Sequence, residues 1–202
     1  MQKIGIMGGT FNPIHFGHLF IAEEVKDVYD LDEILFIPTG TPPHKSNANI
    51  LDGKIRYQLA KLAVQTTDYF SVSSIEVDRT GYSYSIDTLK SLHEDRPDVK
   101  WYFILGADAF LYLEKWKRIE EVHNYCEFIV VARPGYNQNE LVCAKDKLNK
   151  NYSIESHLIN IEGINISSTI IRKRCNKNRS IKYLLPESVR EYILKNSYYG
   201  DE

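Results

Sequence analysis

The chain has 202 residues, 43% of them hydrophobic and 26% charged. That composition supports one domain with a buried core and excludes the disordered, collagen-like and membrane-embedded classes. A formal charge of only −2 lacks the basic surplus with which a general nucleic-acid binder displaces counterions, so no nucleic-acid partner is expected beyond a local basic pocket.

In chain order, the first apolar run is KIGIM, Lys3 to Met7, which reads as a strand. It leads into GGTFNPIHFGH, Gly8 to His18, a stretch too rich in glycine and proline for regular structure, and then into helical spacing from His18 to Tyr29. EILFIP, 33–38, reads as the second strand. Asp52 to Thr67 reads as a helix with Ile55, Leu59, Leu62, Ala63 and Thr66 on one stripe. Strands at 70–77 (FSVSSIEV), 101–105 (WYFIL), 127–132 (EFIVVA) and 157–161 (HLINI) alternate with helices over Ser85 to Glu94, Arg118 to Tyr125 and Asn137 to Asn149. Two last helices are expected over Ser167 to Cys175, capped by Ser168, and over Leu185 to Lys195, started by Pro186.

Nearly all-apolar strands alternating with helices make the pattern of a parallel sheet covered on both faces. The expected fold is therefore a doubly wound, Rossmann-like α/β sheet with a small C-terminal helical part. No repeat or linker divides the chain, so 1–202 reads as a single domain with 165–202 as that helical part. Three cysteines, Cys126, Cys143 and Cys175, show no C-x-x-C spacing and read as reduced thiols. The opening apolar stretch is broken by Gly5, Gly8 and Gly9, and no later run is long enough to span a membrane. The cytoplasm is the expected compartment.

In a doubly wound sheet the ligand crevice lies beyond the carboxyl ends of the strands, where GGTFNPIHFGH leaves the first one. Glycines there admit a ligand close to the backbone, and the start of the following helix offers N–H groups and a positive dipole end, a combination suited to a polyphosphate. The spacing matches neither G-x-G-x-x-G nor a Walker loop, so other groups must supply positive charge. His15 and His18, three apart, can face one side of the helix start and donate to phosphate oxygens. The bland alternative is a glycine-rich turn with two surface histidines. Zinc fits less well, because metalloprotease histidines stand four apart on a regular helix with a glutamate between them.

Other candidates carry their own alternatives. Lys45 follows two prolines and is either a mobile ammonium over a phosphate or an ordinary solvated lysine. Ser168 with Arg172 one turn on is an anion clamp or a helix cap beside an incidental arginine. Asp108, after the fourth strand, is a ribose acceptor or an N-cap. Tyr84 and Trp116 offer faces to a flat ring or simply fill the core.

GGTFNPIHFGH resembles the GGTF-D/N-P-x-H-x-G-H signature of the nucleotidylyltransferase superfamily, whose H-x-G-H motif holds the ATP phosphates. TPPHK (41–45), EVDRTGYSYSIDTL (76–89), FILGADAFLYLEKWKR (103–118), VVARPG (130–135) and ISSTIIR (166–172) are similar, in this order, to the bacterial nicotinate-nucleotide adenylyltransferases. The resemblance spans nearly the whole chain. It implies transfer of AMP from ATP to nicotinate mononucleotide, giving deamido-NAD and pyrophosphate, with Mg²⁺ carried on the ATP phosphates rather than by protein ligands. It also implies site roles. Gly8, Gly9, Thr10, Phe11, His15, His18, Gly106, Asp108, Ser168 and Arg172 would bind ATP. Thr10, Lys45, Tyr84, Thr88 and Trp116 would bind the mononucleotide, and His15, His18, Lys45 and Arg172 would supply catalytic charge.

The implied partners are small molecules, neither nucleic acid nor membrane, and a homo-oligomer is compatible with them. Asn12 stands where many relatives of that family have aspartate, and its amide can preserve the turn. Three rivals remain: preference for nicotinamide mononucleotide, a phosphopantetheine adenylyltransferase, and a nucleotide sensor that binds ATP without releasing pyrophosphate.

Overall fold

A computed structural model describes residues 1–41, 50–132, 135, 137–162 and 165–200. Among them, strands β1 (Gln2–Gly9), β2 (Glu33–Pro38), β3 (Phe70–Val72), β4 (Val99–Gly106), β5 (Glu127–Ala132) and β6 (Ser156–Asn160) form one sheet in the order β3-β2-β1-β4-β5-β6. Every neighbouring pair is parallel. The connections run outward from β1 to β3, return to β4 beside β1, and run outward again, which is the doubly wound topology with its reversal between β1 and β4.

Strand alternation explains why both faces must be covered. Ile34 and Phe36 of β2 enter one apolar cluster and Leu35 and Ile37 the other. The first cluster is closed by α1 (Phe16–Tyr29), α2 (Gly53–Val64), α7 (Ser168–Asn176) and α8 (Glu187–Lys195), which contribute Val25, Leu59, Ile171 and Val189. The second is closed by α3 (Ser85–Asp95), α4 (Ala107–Leu111), α5 (Ile119–Val122) and α6 (Gln138–Tyr152), through Leu89, Phe110, Val122 and Leu148. Each fully buried aliphatic or aromatic side chain stabilises the fold by ~1.5–3 kcal/mol. An exposed ion pair such as Lys147 with Glu114 adds ~0–1 kcal/mol, so the two clusters dominate. Among the described residues, no helix is long and apolar enough to cross a membrane.

The departures from expectation have local causes. The strand expected over 70–77 stops at Val72, because β3 is an edge strand paired only with β2 and the Ser73 hydroxyl accepts the Ile75 N–H at 3.2 Å, a local turn that competes with the ladder. The helix expected over Arg118 to Tyr125 keeps only Ile119–Val122: Arg118, in the left-handed region at φ 53°, is left outside as its N-cap, and residues 123–125 continue as turns. The short helix α4 and a 3₁₀ turn at Leu113–Lys115 arise where no helix was expected. On α2 the buried stripe is Arg56, Leu59, Ala60, Ala63 and Val64, rotated from the one read off the sequence, with Thr66 exposed.

Candidate active site

Met7 of β1 pairs with Ile104 of β4, so the two strands end together and Gly8, Gly9 and Gly106 stand side by side at the reversal of strand order. A Cβ at Gly106 would meet nothing within 4 Å, which leaves its backbone open to a ligand. Asp108 follows, exposed, in the first turn of α4, and Gly106 rather than Asp108 holds the N-cap position.

The loop after β1 turns through Phe11 at φ 46° and a cis Asn12–Pro13 bond. Phe11 is buried, with its ring edge-on to His18 at 5.0 Å, so only its backbone is presented to the crevice. Helix α1 begins at Phe16, two residues earlier than expected, which makes His15 the N-cap residue and His18 the third residue of the helix. The His15 N–H donates to His18 Nδ1 at 3.3 Å, and the two rings stack with centroids 3.8 Å apart. His15 is 5% exposed and His18 half-buried, so His15 backs the ring that faces the crevice. Gly17 permits this: a Cβ there would stand 3.1 Å from His15 Nδ1. The Phe16 N–H is occupied by the Leu184 carbonyl at 3.1 Å, so the helix start offers fewer open donors than expected.

Helix α7 reaches this loop from the other end of the chain. Its cap is Ser167, whose hydroxyl accepts the Ile170 N–H at 3.2 Å, and not Ser168 as expected. The one-residue shift turns Ser168 onto the loop, where its hydroxyl donates to the Pro13 carbonyl at 2.8 Å. Arg172 donates to the Asn12 carbonyl at 2.8 Å and to the Thr169 hydroxyl at 3.3 Å. Its guanidinium is thereby seated against the loop that carries the two histidines. Lys45 lies outside the described residues.

An open cleft of about 430 Å³ lies on the other side of the crevice, lined by Tyr84, Ser85, Lys115, Trp116 and Lys117 among others. Trp116 meets Phe103 edge-on at 5.4 Å, and the Lys117 ammonium sits 4.0 Å over the Tyr84 ring. Thr88 is not part of that wall. It is 1% exposed and donates to Glu76 Oε1 at 2.9 Å while accepting from Arg79 at 3.0 Å, so one turn of α3 separates it from the surface that Ser85 occupies. Burial pushes the Glu76 carboxyl pKa up, and the Thr88 hydrogen bond opposes that rise.

One further residue escaped the sequence reading, and Asn12, which did not, makes contacts beyond the turn expected of it. Arg56, 2% exposed, donates to the carbonyls of Thr10 at 2.7 Å, Gly40 at 3.0 Å and Leu51 at 2.8 Å, tying together the segments that follow β1 and β2. The one signal in the sequence was a charge falling on the buried period of α2. Asn12 Oδ1 accepts from the Leu51 N–H at 3.1 Å and the Tyr199 hydroxyl at 2.8 Å, contacts that sequence spacing does not reveal. Among the described residues no three His, Cys, Asp or Glu side chains gather as a metal site. The crevice is bordered by the imidazoles of His15 and His18, the Arg172 guanidinium and the exposed Asp108 carboxylate.

The cytidylyltransferase-like family model matches residues 6–174. A protein of Desulfitobacterium hafniense (strain Y51), described as a probable nicotinate-nucleotide adenylyltransferase, is 44% identical over 201 residues, covering 98% of this chain and 96% of its own. One of Clostridium perfringens (strain 13 / Type A), described in the same words, is 39% identical over 202 residues and covers 100% of both. Among solved structures, the Plasmodium falciparum nicotinic acid mononucleotide adenylyltransferase complexed with NaAD superposes with a TM-score of 0.79 over 98% of each chain at 21% identity, a likeness of fold. The match of the family model over residues 6–174 and full-length identity near or above two fifths, on a chain whose H-x-G-H loop stands at the reversal of strand order, lead to one conclusion: the chain belongs to the cytidylyltransferase-like family and, within it, to the nicotinate-nucleotide adenylyltransferases.

Proposed function

We propose that this chain transfers the adenylyl group of ATP to nicotinate mononucleotide, yielding deamido-NAD and pyrophosphate. The observation that carries the reading is a histidine-bearing segment at the sheet's reversal point, with Arg172 of α7 seated on it, together with an aromatic cleft lined by Tyr84 and Trp116. A phosphate oxygen of the mononucleotide attacks the α-phosphorus of ATP in line. The bond to the bridging oxygen breaks, and pyrophosphate leaves with the electron pair. No protein nucleophile is required, so the protein contributes orientation and stabilisation of developing charge.

In this reading the backbone of Gly8, Gly9 and Thr10 lies along the triphosphate, His18 donates to it with His15 stacked behind, and Arg172 meets it from α7. Ser168 acts through the loop, by holding the Pro13 carbonyl. Lys45, outside the described residues, is assigned to the same charge by the resemblance alone. Gly106 and Asp108 face the ribose, while Tyr84, Ser85 and Trp116 border the pyridine ring. Lys115 and Lys117, at the same cleft, favour an anionic carboxylate over a neutral amide. Mg²⁺ enters as part of the nucleotide substrate, and the residues of the crevice bind the phosphates that carry it. The reading takes 1–202 as one domain, because α7 and α8 share an apolar cluster with α1 and α2.

Purified protein incubated with ATP, Mg²⁺ and either nicotinate or nicotinamide mononucleotide, with the dinucleotide identified by mass spectrometry and pyrophosphate measured, tests the proposal. Deamido-NAD formed faster than NAD supports it. Preference for the amide would reverse the substrate assignment, and ATP binding without pyrophosphate would make the chain a sensor.

A further inference from the structure

Beyond α8 the chain folds back, and Tyr199 packs against the apolar cluster shared by α1, α2, α7 and α8. Its ring needs no hydroxyl for that packing. The hydroxyl nevertheless donates to Asn12 Oδ1 at 2.8 Å, across 187 residues of sequence, inside the loop that carries His15 and His18. The same oxygen accepts the Leu51 N–H at 3.1 Å, and the Asn12 carbonyl accepts from Arg172 at 2.8 Å. An asparagine amide has a broad, two-fold torsional preference and does not set its own plane. Two donors converging on one oxygen do set it.

We propose that Tyr199 is a positioning residue: its hydroxyl fixes the Asn12 carboxamide and, through it, the backbone on which Arg172 is seated beside the two histidines. Tyr199 touches neither substrate in this scheme and acts on the loop. Its environment keeps it a donor. Arg172 and Arg56 stand close enough to pull the phenol pKa down, yet burial outweighs them and holds it above the ordinary value, so the proton stays on the oxygen. The same geometry accounts for Asn12 within the signature, because its side-chain oxygen collects donors from two distant segments while its main-chain oxygen receives Arg172.

The inference rests on the adenylyl-transfer reading, and the test separates the two. Tyr199→Phe keeps the ring and removes one hydrogen bond, which at ~1 kcal/mol corresponds to roughly a fivefold to tenfold change. Because the loop is aligned for the transition state, kcat falls by about that factor while KM for ATP and for nicotinate mononucleotide stays within about twofold. In an Asn12→Ala background the same substitution has no further effect, since the group it acts through is gone. The side-chain amide resonances of Asn12, followed by NMR, shift in the phenylalanine variant. A Tyr199→Phe enzyme with kcat within twofold of the parent overturns the positioning role, whatever its melting temperature. So does an equal loss in both backgrounds. A parent protein that forms no dinucleotide overturns the adenylyl-transfer reading and the positioning role with it.

Discussion

The two sides of the crevice are built differently. On the side of the two histidines, Arg56, Ser168, Arg172 and Tyr199 all reach across the chain to hold the loop of Thr10, Asn12 and Pro13 or the segments beside it, through hydrogen bonds of 2.7–2.8 Å. Across from it, Tyr84 and Trp116 stand on the second apolar cluster, joined by edge-on ring contacts and a lysine over a ring. Hydrogen bonds to main-chain carbonyls hold direction as well as distance, whereas aromatic packing holds a surface and tolerates small slides. The first kind of construction suits charge that must be stabilised at one place in the transition state, and the second suits a flat ring that must be held and released.

Substitutions that break one side and spare the other sharpen this contrast. The largest effect is expected from Arg56→Ala, which strips the Thr10, Gly40 and Leu51 carbonyls of their donor at once. At ~0.5–1.5 kcal/mol per hydrogen bond lost, the three together should lower the stability read by urea denaturation by about 2–4 kcal/mol, with activity falling alongside. A loss below about 1 kcal/mol would show that the braces are dispensable. His18→Ala comes next: kcat drops by about 10²–10³, as when an oxyanion donor is removed, while the melting curve stays close to that of the parent. Near-parental turnover in a folded variant would remove His18 from the mechanism.

The opposite side should answer with affinity. Trp116→Ala raises KM for nicotinate mononucleotide about tenfold and changes kcat by less than about threefold, because the lost aromatic face held ground state and transition state alike. A fall in kcat with KM unchanged would place the tryptophan on the charge-stabilising side instead.

The smallest effect is a pH dependence beneath the cleft. Burial raises the Glu76 carboxyl pKa. A carboxyl with a higher pKa folded than unfolded favours the folded state fully below the unfolded value, and loses that contribution as pH rises through the folded one. Glu121 and Glu187 are shifted the other way by their lysine and arginine partners. Glu76→Gln removes only the first trend, so its melting temperature relative to the parent should climb from acidic towards neutral pH. A relative melting temperature that falls over that range would reverse the assignment.

The inner strands β1, β2, β4 and β5 were legible because strands covered on both faces are largely apolar, and the edge strands β3 and β6 showed as shorter branched or aromatic runs. Boundaries were less legible. The edge position of β3 and the left-handed Arg118 trimmed two elements, and α4 is too short to show a period. In the crevice, the position of GGTFNPIHFGH at the end of β1 could be read from strand order, whereas spacing alone left Arg172 between an anion clamp and an incidental arginine, and only the resemblance singled it out. Thr88, expected at the mononucleotide, is buried on α3, a depth that only the tertiary structure reveals. Arg56 was overlooked because its partners are main-chain carbonyls, which every residue possesses and no sequence pattern marks.

Local patterning by itself thus determined the order of strands and helices, the doubly wound class, and the loop at the mouth of β1, since each depends on side-chain periodicity within a short window. Tertiary structure alone decided how His15 stacks behind His18, which serine caps α7, and how Arg56 and Tyr199 hold the loop. Those outcomes join atoms as much as 187 residues apart through directional hydrogen bonds, whose geometry exists only after the sheet has brought the ends of the chain together.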